Sequence, residues 1–311
     1  MMTNLRQSPS HLFMVRPAAF GFNEQTGMDN YYQDAKAVGE NCVELALAEF
    51  DLAVQQLREA GVQVKVFEDT EEPKKPDAIF PNNWITCHET GEVVLFPMAT
   101  PNRRLERRPD IVNWLKDNFK VTRVVDLSAH EEDRQYLEGT GSMVFDNVHK
   151  RAFACRSQRT DGRVLDEFCQ AIGFTPKLFE ATDTRGRPIY HTNVLLAIGK
   201  QWAVFCQDAC QPNEGKEVTR LLQEGGRTVV LVSQQQVERL AGNCYEVIGG
   251  DGRSKLVMSN GGWQSLNNEQ KDALVMAGVD PVLCDVPTIE RVGGGGIRCM
   301  LAPIFNDKLV V

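Results

Sequence analysis

Several familiar signatures are missing from this chain. Its 311 residues hold only five histidines, and no two cysteines stand in a Cys-x-x-Cys pair. Cys206 and Cys210 are four apart with no histidine near them, which departs from structural zinc spacings, so no metal is expected. "GGDGRSK" (249–255) fails the phosphate-loop pattern, and "EGTGSMVFD" (138–146) lacks the third glycine of a dinucleotide fingerprint. No cofactor is therefore expected. Basic charge is short as well: 34 Lys and Arg face 42 Asp and Glu, a net charge of −8. Phosphate contacts need clustered cations, so nucleic acid is excluded as a main partner. Arg103-Arg104 and Arg107-Arg108 alternate with glutamate and read as solvated surface.

No apolar run approaches the ~18 residues of a membrane span, and "MMTNLRQSPSHLFMV" lacks the apolar stretch of a signal peptide. Nine scattered cysteines, an odd count, point to reduced thiols and a cytoplasmic protein.

What remains is an ordinary globular composition, 42% hydrophobic and 24% charged. Strand-like runs alternate with amphipathic helices. "HLFMVRP" precedes a long helix over 35–60 and "VQVKVFED"; "DAIFPNNWIT" and "EVVLFPM" precede a helix near 109–118 and "TRVVDLS". "GTGSMVFD" and "RAFACRS" precede a helix near 163–172 and "PKLFEA". "HTNVLLAIG" and "WAVFCQ" precede one near 214–224 and "TVVLVS", and "CYEVIGG" and "KLVMSN" precede one near 267–277 and "DPVLCDV".

The order strand, strand, helix, strand recurs every ~50–60 residues, the spacing of a repeated module. No linker divides it, so a single domain over 1–311 is expected. A doubly wound sheet lacks the extra hairpin strand, which favours a closed ring of modules. In such a ring, function concentrates where the modules converge, at the start of each first strand. Those places hold Asp77 to Asn83, Glu138, His191 and Cys299.

Taken singly, each has a plain reading. Cys299 is a small buried hydrophobe, His191 a core histidine, Glu138 a turn cap, and Asn82-Asn83 turn formers after a proline. Together they are the residue types of covalent catalysis: a thiol, a proton carrier and a carboxylate that orients it. A protonated His191 would draw Cys299 toward the thiolate. The four glycines before "IRCM", Gly293 to Gly296, read either as a slack turn or as a place where the backbone must approach something closely.

"PDAIFPNNW", "LEGTGSMVFD", "SQRTD", "HTNVLL" and "GGGGIRCM", in this order, make the chain resemble the guanidino-group-modifying enzymes: arginine deiminases, dimethylarginine dimethylaminohydrolases and amidinotransferases. Within them it is most similar to the bacterial citrulline utilisation hydrolases. The resemblance implies an α/β fold, a five-bladed pseudo-symmetric α/β propeller (the pentein fold) of strand-strand-helix-strand modules. It implies Cys299 as nucleophile, His191 as general acid/base and Glu138 as its partner. It also implies that Arg159, with Arg104 or alternatively Arg103, grips a substrate α-carboxylate, that Asp77 lies near the α-amino group, and that Gly295 and Gly296 line the reacting carbon.

Relatives that act on arginine hold the cationic guanidinium with carboxylates in the "FPNN" segment, and arginine deiminases carry His-x-Asp where this chain has His-Thr-Asn. Here Asn82, Asn83 and Asn193 are amides. A buried cation without a carboxylate costs several kcal/mol, roughly, whereas a neutral ureido group matches amide donors and acceptors. The substrate expected is citrulline, hydrolysed to ornithine, carbon dioxide and ammonia. Arginine deiminase, dimethylarginine hydrolase and amidinotransferase activity are the alternatives. A small amino acid is the expected partner, with a homo-oligomer left open.

Overall fold

The structure, a computed structural model, describes residues 5–309; residues 1–4, part of the stretch read above for a leader, lie outside it. β1 (His11–Arg16) runs parallel to β2 (Gln63–Glu68), joined through the helix Cys42–Glu59. β3 (Ile85–Cys87) and β4 (Glu92–Leu95) form a hairpin, and after the helix Pro109–Asn118, β5 (Arg123–Asp126) returns parallel to β4. β6 (Met143–Asp146), β7 (Arg151–Cys155) and β8 (Thr175–Phe179) repeat this wiring around the helix Gly162–Ile172. So do β9 (Leu196–Ile198), β10 (Trp202–Phe205) and β11 (Thr228–Leu231) around Pro212–Glu224. So, too, do β12 (Tyr245–Ile248), β13 (Ser254–Ser259) and β14 (Asp280–Cys284), around two shorter helices. β15 (Ala302–Ile304) pairs antiparallel with β1 and supplies that first set with its third strand from the far end of the chain.

The fold is α/β, as expected. It does not divide into five separate sheets. β15 also pairs with β3 through Ile304 and Cys87, so six strands in the order β2-β1-β15-β3-β4-β5 form one sheet beside three sheets of three. Both are buried strands of three residues, and the bridge gives their inner edges partners that water cannot supply.

The helix Gly162–Ile172 shows how a module is stabilised. Asp161 accepts from the Arg163 and Val164 amides, and Gly173 at φ +73° ends the helix. Between them Val164, Leu165, Phe168, Cys169 and Ile172 form the buried stripe. Each fully buried large side chain there contributes about 1.5–3 kcal/mol. The helix expected over 35–60 starts only at Cys42; Ala35–Ala37 is a separate turn capped by Asp34.

Another departure builds the site. Periodicity predicts unbroken strands through "FPNNW", "GTGSM" and "HTNVL". The structure instead places one buried helical turn before each strand: Pro81–Asn83, Gly139–Ser142 and Thr192–Val194. Ile297–Met300 is the equivalent turn before β15, and a turn ending at Gly242 and Asn243 precedes β12. The first four turns pack on one another, and Asn243 joins them through its bond to the Asn193 carbonyl, so five sequence-distant segments come together.

Candidate active site

Cys299 lies in the turn Ile297–Met300 and is 4% exposed. Two amides donate to its sulfur: Asn193 Nδ2 at 3.4 Å and Asn243 Nδ2 at 3.3 Å. Burial raises the thiol above its ordinary value of 9.0; those two amides and Arg298 only partly offset it. All nine cysteines are free and buried, so Cys299 differs from the rest in its neighbours rather than its depth.

His191 starts the turn Thr192–Val194, and its Nε2 meets Glu138 Oε2 at 2.9 Å. Glu138 is fully buried. Its Oε1 accepts from the Ala99 amide at 3.0 Å, and its Oε2 also accepts from Arg159 Nη1 at 3.3 Å. Burial alone would raise this carboxyl; Arg159, His191 and Arg103 outweigh it and hold Glu138 well below the usual carboxylate range. The expectation of a resting protonated His191 is not met. Burial, reinforced by Arg159 and Arg103, keeps the imidazole below its ordinary 6.5 despite the Glu138 hydrogen bond. At rest the pair is a neutral thiol and a neutral imidazole, with an ionised carboxylate behind the imidazole.

Cys299 and His191 share the wall of one small pocket with Asp77, Asn83, Arg103 and Arg159. Its empty space is about 250 Å³ counted out to the mouth. Gly141 is where the turns come closest. A Cβ there would stand 2.3 Å from Asn83 Nδ2 and 2.6 Å from His191 Cε1, so only glycine lets the amide and the imidazole lie side by side. Gly295 also lines the pocket, and its N–H has no acceptor among the described residues. Gly296 does not line it. It lies against Asn243, where a Cβ would be 2.7 Å from Oδ1.

The arginines are sorted by the turn Pro101–Arg104. Arg104, expected at the site, turns away: its Nε bonds the Met98 carbonyl at 3.1 Å and pairs with Glu131. Adjacent helical residues point roughly 100° apart, so Arg103 takes the buried position. Its fork is held by Glu106 through Nε and Nη2, both at 2.9 Å, and its Nη1 donates to Asn83 Oδ1 at 2.8 Å. Arg159 is engaged by Asp29, with Nε at 2.8 Å from Oδ2 and Nη2 on Oδ1.

Several buried polar atoms near the pocket have no partner among the described residues: Asp77 Oδ1, Asn82 Oδ1, Asn83 Nδ2, Asn193 Oδ1 and Asn243 Oδ1. Asp77 Oδ2 accepts from Asn23 and Thr26. Asn82 sits behind the wall, its Nδ2 on Thr140 Oγ1 at 3.2 Å. Among the described residues no group of three or more His, Cys, Asp and Glu is arranged to hold a metal ion.

Of the residues singled out from the sequence, the fold thus gathers Cys299, His191, Glu138, Asp77, Asn83, Asn193, Arg159 and Gly295. It leaves Arg104 outside, with Asn82 and Gly296 one layer back. Asn243 and Asp29 were missed. Asn243 had a signal in the repeat: "GNCY" precedes β12 as "NNW" and "TNVL" precede β3 and β9. Asp29, in "GMDNYY", had none.

A family model described as N,N dimethylarginine dimethylhydrolase, eukaryotic, matches residues 16–306. No match is found among curated proteins. Among solved structures, ArgZ, described as an arginine dihydrolase from the ornithine-ammonia cycle in cyanobacteria, aligns with a TM-score of 0.75 at 16% identity. That alignment covers 96% of this chain and 41% of ArgZ, so the chain spans well under half of the larger protein. The N-terminal domain of ArgZ, a cysteine-to-serine variant bound to substrate, gives 0.74 at 15% identity over 96% of this chain and 99% of that one. A histidine-to-glycine variant of dimethylarginine dimethylaminohydrolase, in adduct with S-methyl-L-thiocitrulline, gives 0.65 at 13% identity over 95% and 100%. At such identities these likenesses speak for the fold, whereas the family match spans nearly the whole sequence. The chain belongs to the guanidino-group-modifying enzymes, in the N,N dimethylarginine dimethylhydrolase family.

Proposed function

We propose that the protein is a cysteine-dependent hydrolase that cleaves a ureido C–N bond, with citrulline as substrate and ornithine, carbon dioxide and ammonia as products. The observation that carries this is an orphaned pair of amide ends: a buried donor, Asn83 Nδ2, on a side chain that lines the Cys299 pocket, and a buried acceptor, Asn193 Oδ1, on the side chain whose nitrogen donates to the Cys299 sulfur. A ureido group offers a carbonyl to the first and an N–H to the second. A guanidinium has only donors and leaves Asn83 Nδ2 unpaired.

The steps follow from the resting state. As Cys299 Sγ attacks the ureido carbon, its proton passes to His191, whose imidazolium is stabilised by ionised Glu138. The developing oxyanion is received by the free Gly295 N–H and by Asn83 Nδ2. His191 returns the proton to the departing nitrogen and then takes one from water. Water attacks the carbonyl of the S-linked intermediate, the C–S bond breaks and the thiol is restored. The carbamic acid formed along the way breaks down to carbon dioxide and an amine. The α-carboxylate takes the place of Asp29 on Arg159, bidentately, and the α-ammonium faces the unpartnered Asp77 Oδ1. Arg103 positions Asn83. The whole chain acts as one domain, its five strand sets closing as a ring around the converging turns.

A guanidino substrate is the second reading, favoured by relatives described as arginine dihydrolases and by the open Asp77 oxygen. One assay separates the two. Purified protein incubated with citrulline, arginine and dimethylarginine releases ornithine from citrulline alone under the first reading. Citrulline formed from arginine overturns it.

A further inference from the structure

The chain buries four arginines: Arg103, Arg159, Arg227 and Arg298. Three have carboxylate partners. Arg103 holds Glu106, Arg159 holds Asp29 and Glu138, and Arg227 is gripped by Asp146 with both contacts at 2.8 Å. Arg298, 5% exposed, has none among the described residues. Its Nη1 donates to the Leu301 carbonyl at 3.1 Å, and its guanidinium stacks on the Tyr245 ring, 4.1 Å from the centroid. A guanidinium carries five donors; among the described residues the other four have no acceptor, and the guanidinium opens onto a cavity instead of being sealed in the core. Stacking on an aromatic ring recovers only part of what desolvation takes from a cation.

Arg298 does not face the pocket of Cys299. It lines a separate cavity with about 530 Å³ of empty space counted out to its mouth. The remaining walls mix apolar side chains such as Val144, Leu196 and Phe305 with the uncharged polar side chains of Gln7, Thr86, Thr140 and Asn147. Thr140 also touches Asn82, which backs the wall of the Cys299 pocket, so the two spaces lie on opposite sides of that contact. We propose that this cavity is a binding site for a small planar monoanion of the carboxylate type, formate- to bicarbonate-sized, held bidentately by Arg298.

Three features select that class. The planar fork matches a carboxylate, and Tyr245 fixes its plane. A single cation neutralises a single charge: His88, which also lines the cavity, is pushed by burial to a pKa of about 4 and adds no second one at neutral pH. A dianion such as phosphate would leave one charge uncompensated beside a single cation. Much of the cavity's space is open mouth and the part enclosed between the walls is small, which favours compact acids over longer ones.

The test uses the full chain. Thermal unfolding is followed while sodium formate or sodium bicarbonate replaces sodium chloride at constant ionic strength and pH. Butyrate and phosphate serve as the excluded shapes. A saturable rise of the midpoint is expected with formate and bicarbonate and not with butyrate or phosphate. The tighter of the two indicates whether an organic acid or hydrated carbon dioxide is the natural occupant; either preference supports the site. Arg298→Met weakens the effect by about tenfold or more, and Arg298→Lys, which keeps the charge and loses the fork, weakens it as well. An unchanged response in Arg298→Met overturns the proposal, because the anion then sits elsewhere, for example on Arg159. Should Arg298→Met not fold, a wild-type crystal grown in formate decides. Density bridging the Arg298 fork supports the site, and water alone there overturns it. None of these readouts depends on turnover, so the outcome is independent of the citrulline assignment.

Discussion

One turn, Ile297–Met300, has two faces, and they solve opposite problems. On the Cys299 face the buried charges are paired inside the chain, Glu138 with Arg159, Arg103 with Glu106 and Arg159 with Asp29, and only Asp77 keeps an open carboxylate oxygen. What stays open there is mostly neutral, the loose ends of Asn83, Asn193 and Asn243. On the Arg298 face the neighbouring polar groups are uncharged and a whole charge stays open. A buried site advertises its ligand by what it leaves unsatisfied. Neutral amides ask for a neutral polar group, and a bare guanidinium asks for an anion.

The sharpest way to break this comparison is to disable one face and watch both. Cys299→Ala should lower ornithine release by about 10⁴-fold or more, as loss of a nucleophile does, while the formate response at Arg298 persists. Loss of both would mean that the faces form one site. Gly141→Ala comes next. Its Cβ would enter the space between Asn83 and His191, so kcat should fall by about 10²-fold with a far smaller change in the unfolding midpoint. Parallel losses would reduce Gly141 to a structural turn.

Asn83→Asp converts the neutral face into a charged one. It should cut kcat/KM for citrulline by about tenfold or more and move the citrulline-to-arginine preference toward arginine. A citrulline rate equal to wild type would count against the amide argument. Asp29→Asn removes the carboxylate that occupies Arg159. Arg159 is 1% exposed and Asp29 19%, so the pair is largely buried and KM should fall by about fivefold or more, kcat holding. A rise in KM would show that Asp29 positions Arg159 instead of competing for it.

The smallest expected effect is a flat line. His191 titrates below its ordinary 6.5 and Cys299 above its ordinary 9.0. The form with one proton shared by the pair therefore persists between those values. A profile of kcat/KM against pH should be level across that window, falling on the acid side as His191 gains a proton and on the alkaline side as Cys299 loses one. A maximum confined to the middle of the window would contradict the neutral resting pair.

Much of the site is legible in the linear chain because the strand sets repeat. Each functional segment stands just before a first strand, which is why Asp77, Glu138, His191 and Cys299 surface together from periodicity alone. The same rule reaches Asn243, although "AGNCY" looks bland in isolation. The choice between Arg103 and Arg104 is not legible. Both belong to one short turn, and only packing against Glu106 and Asn83 decides which guanidinium is buried. The protonation of His191 is equally hidden, since it balances burial against Glu138, Arg159 and Arg103, residues up to 88 positions away in sequence.

The sequence by itself determined the α/β alternation, the recurring strand-strand-helix-strand order and the residue types at the head of each module, because hydrophobic period and turn chemistry act over a few neighbouring residues. Only the tertiary structure decided which of those heads meet, that β15 closes onto β1 and β3, and that Cys299 and Arg298 face different spaces. Desolvation and charge pairing are properties of a neighbourhood in space, and that neighbourhood exists only once the chain has folded.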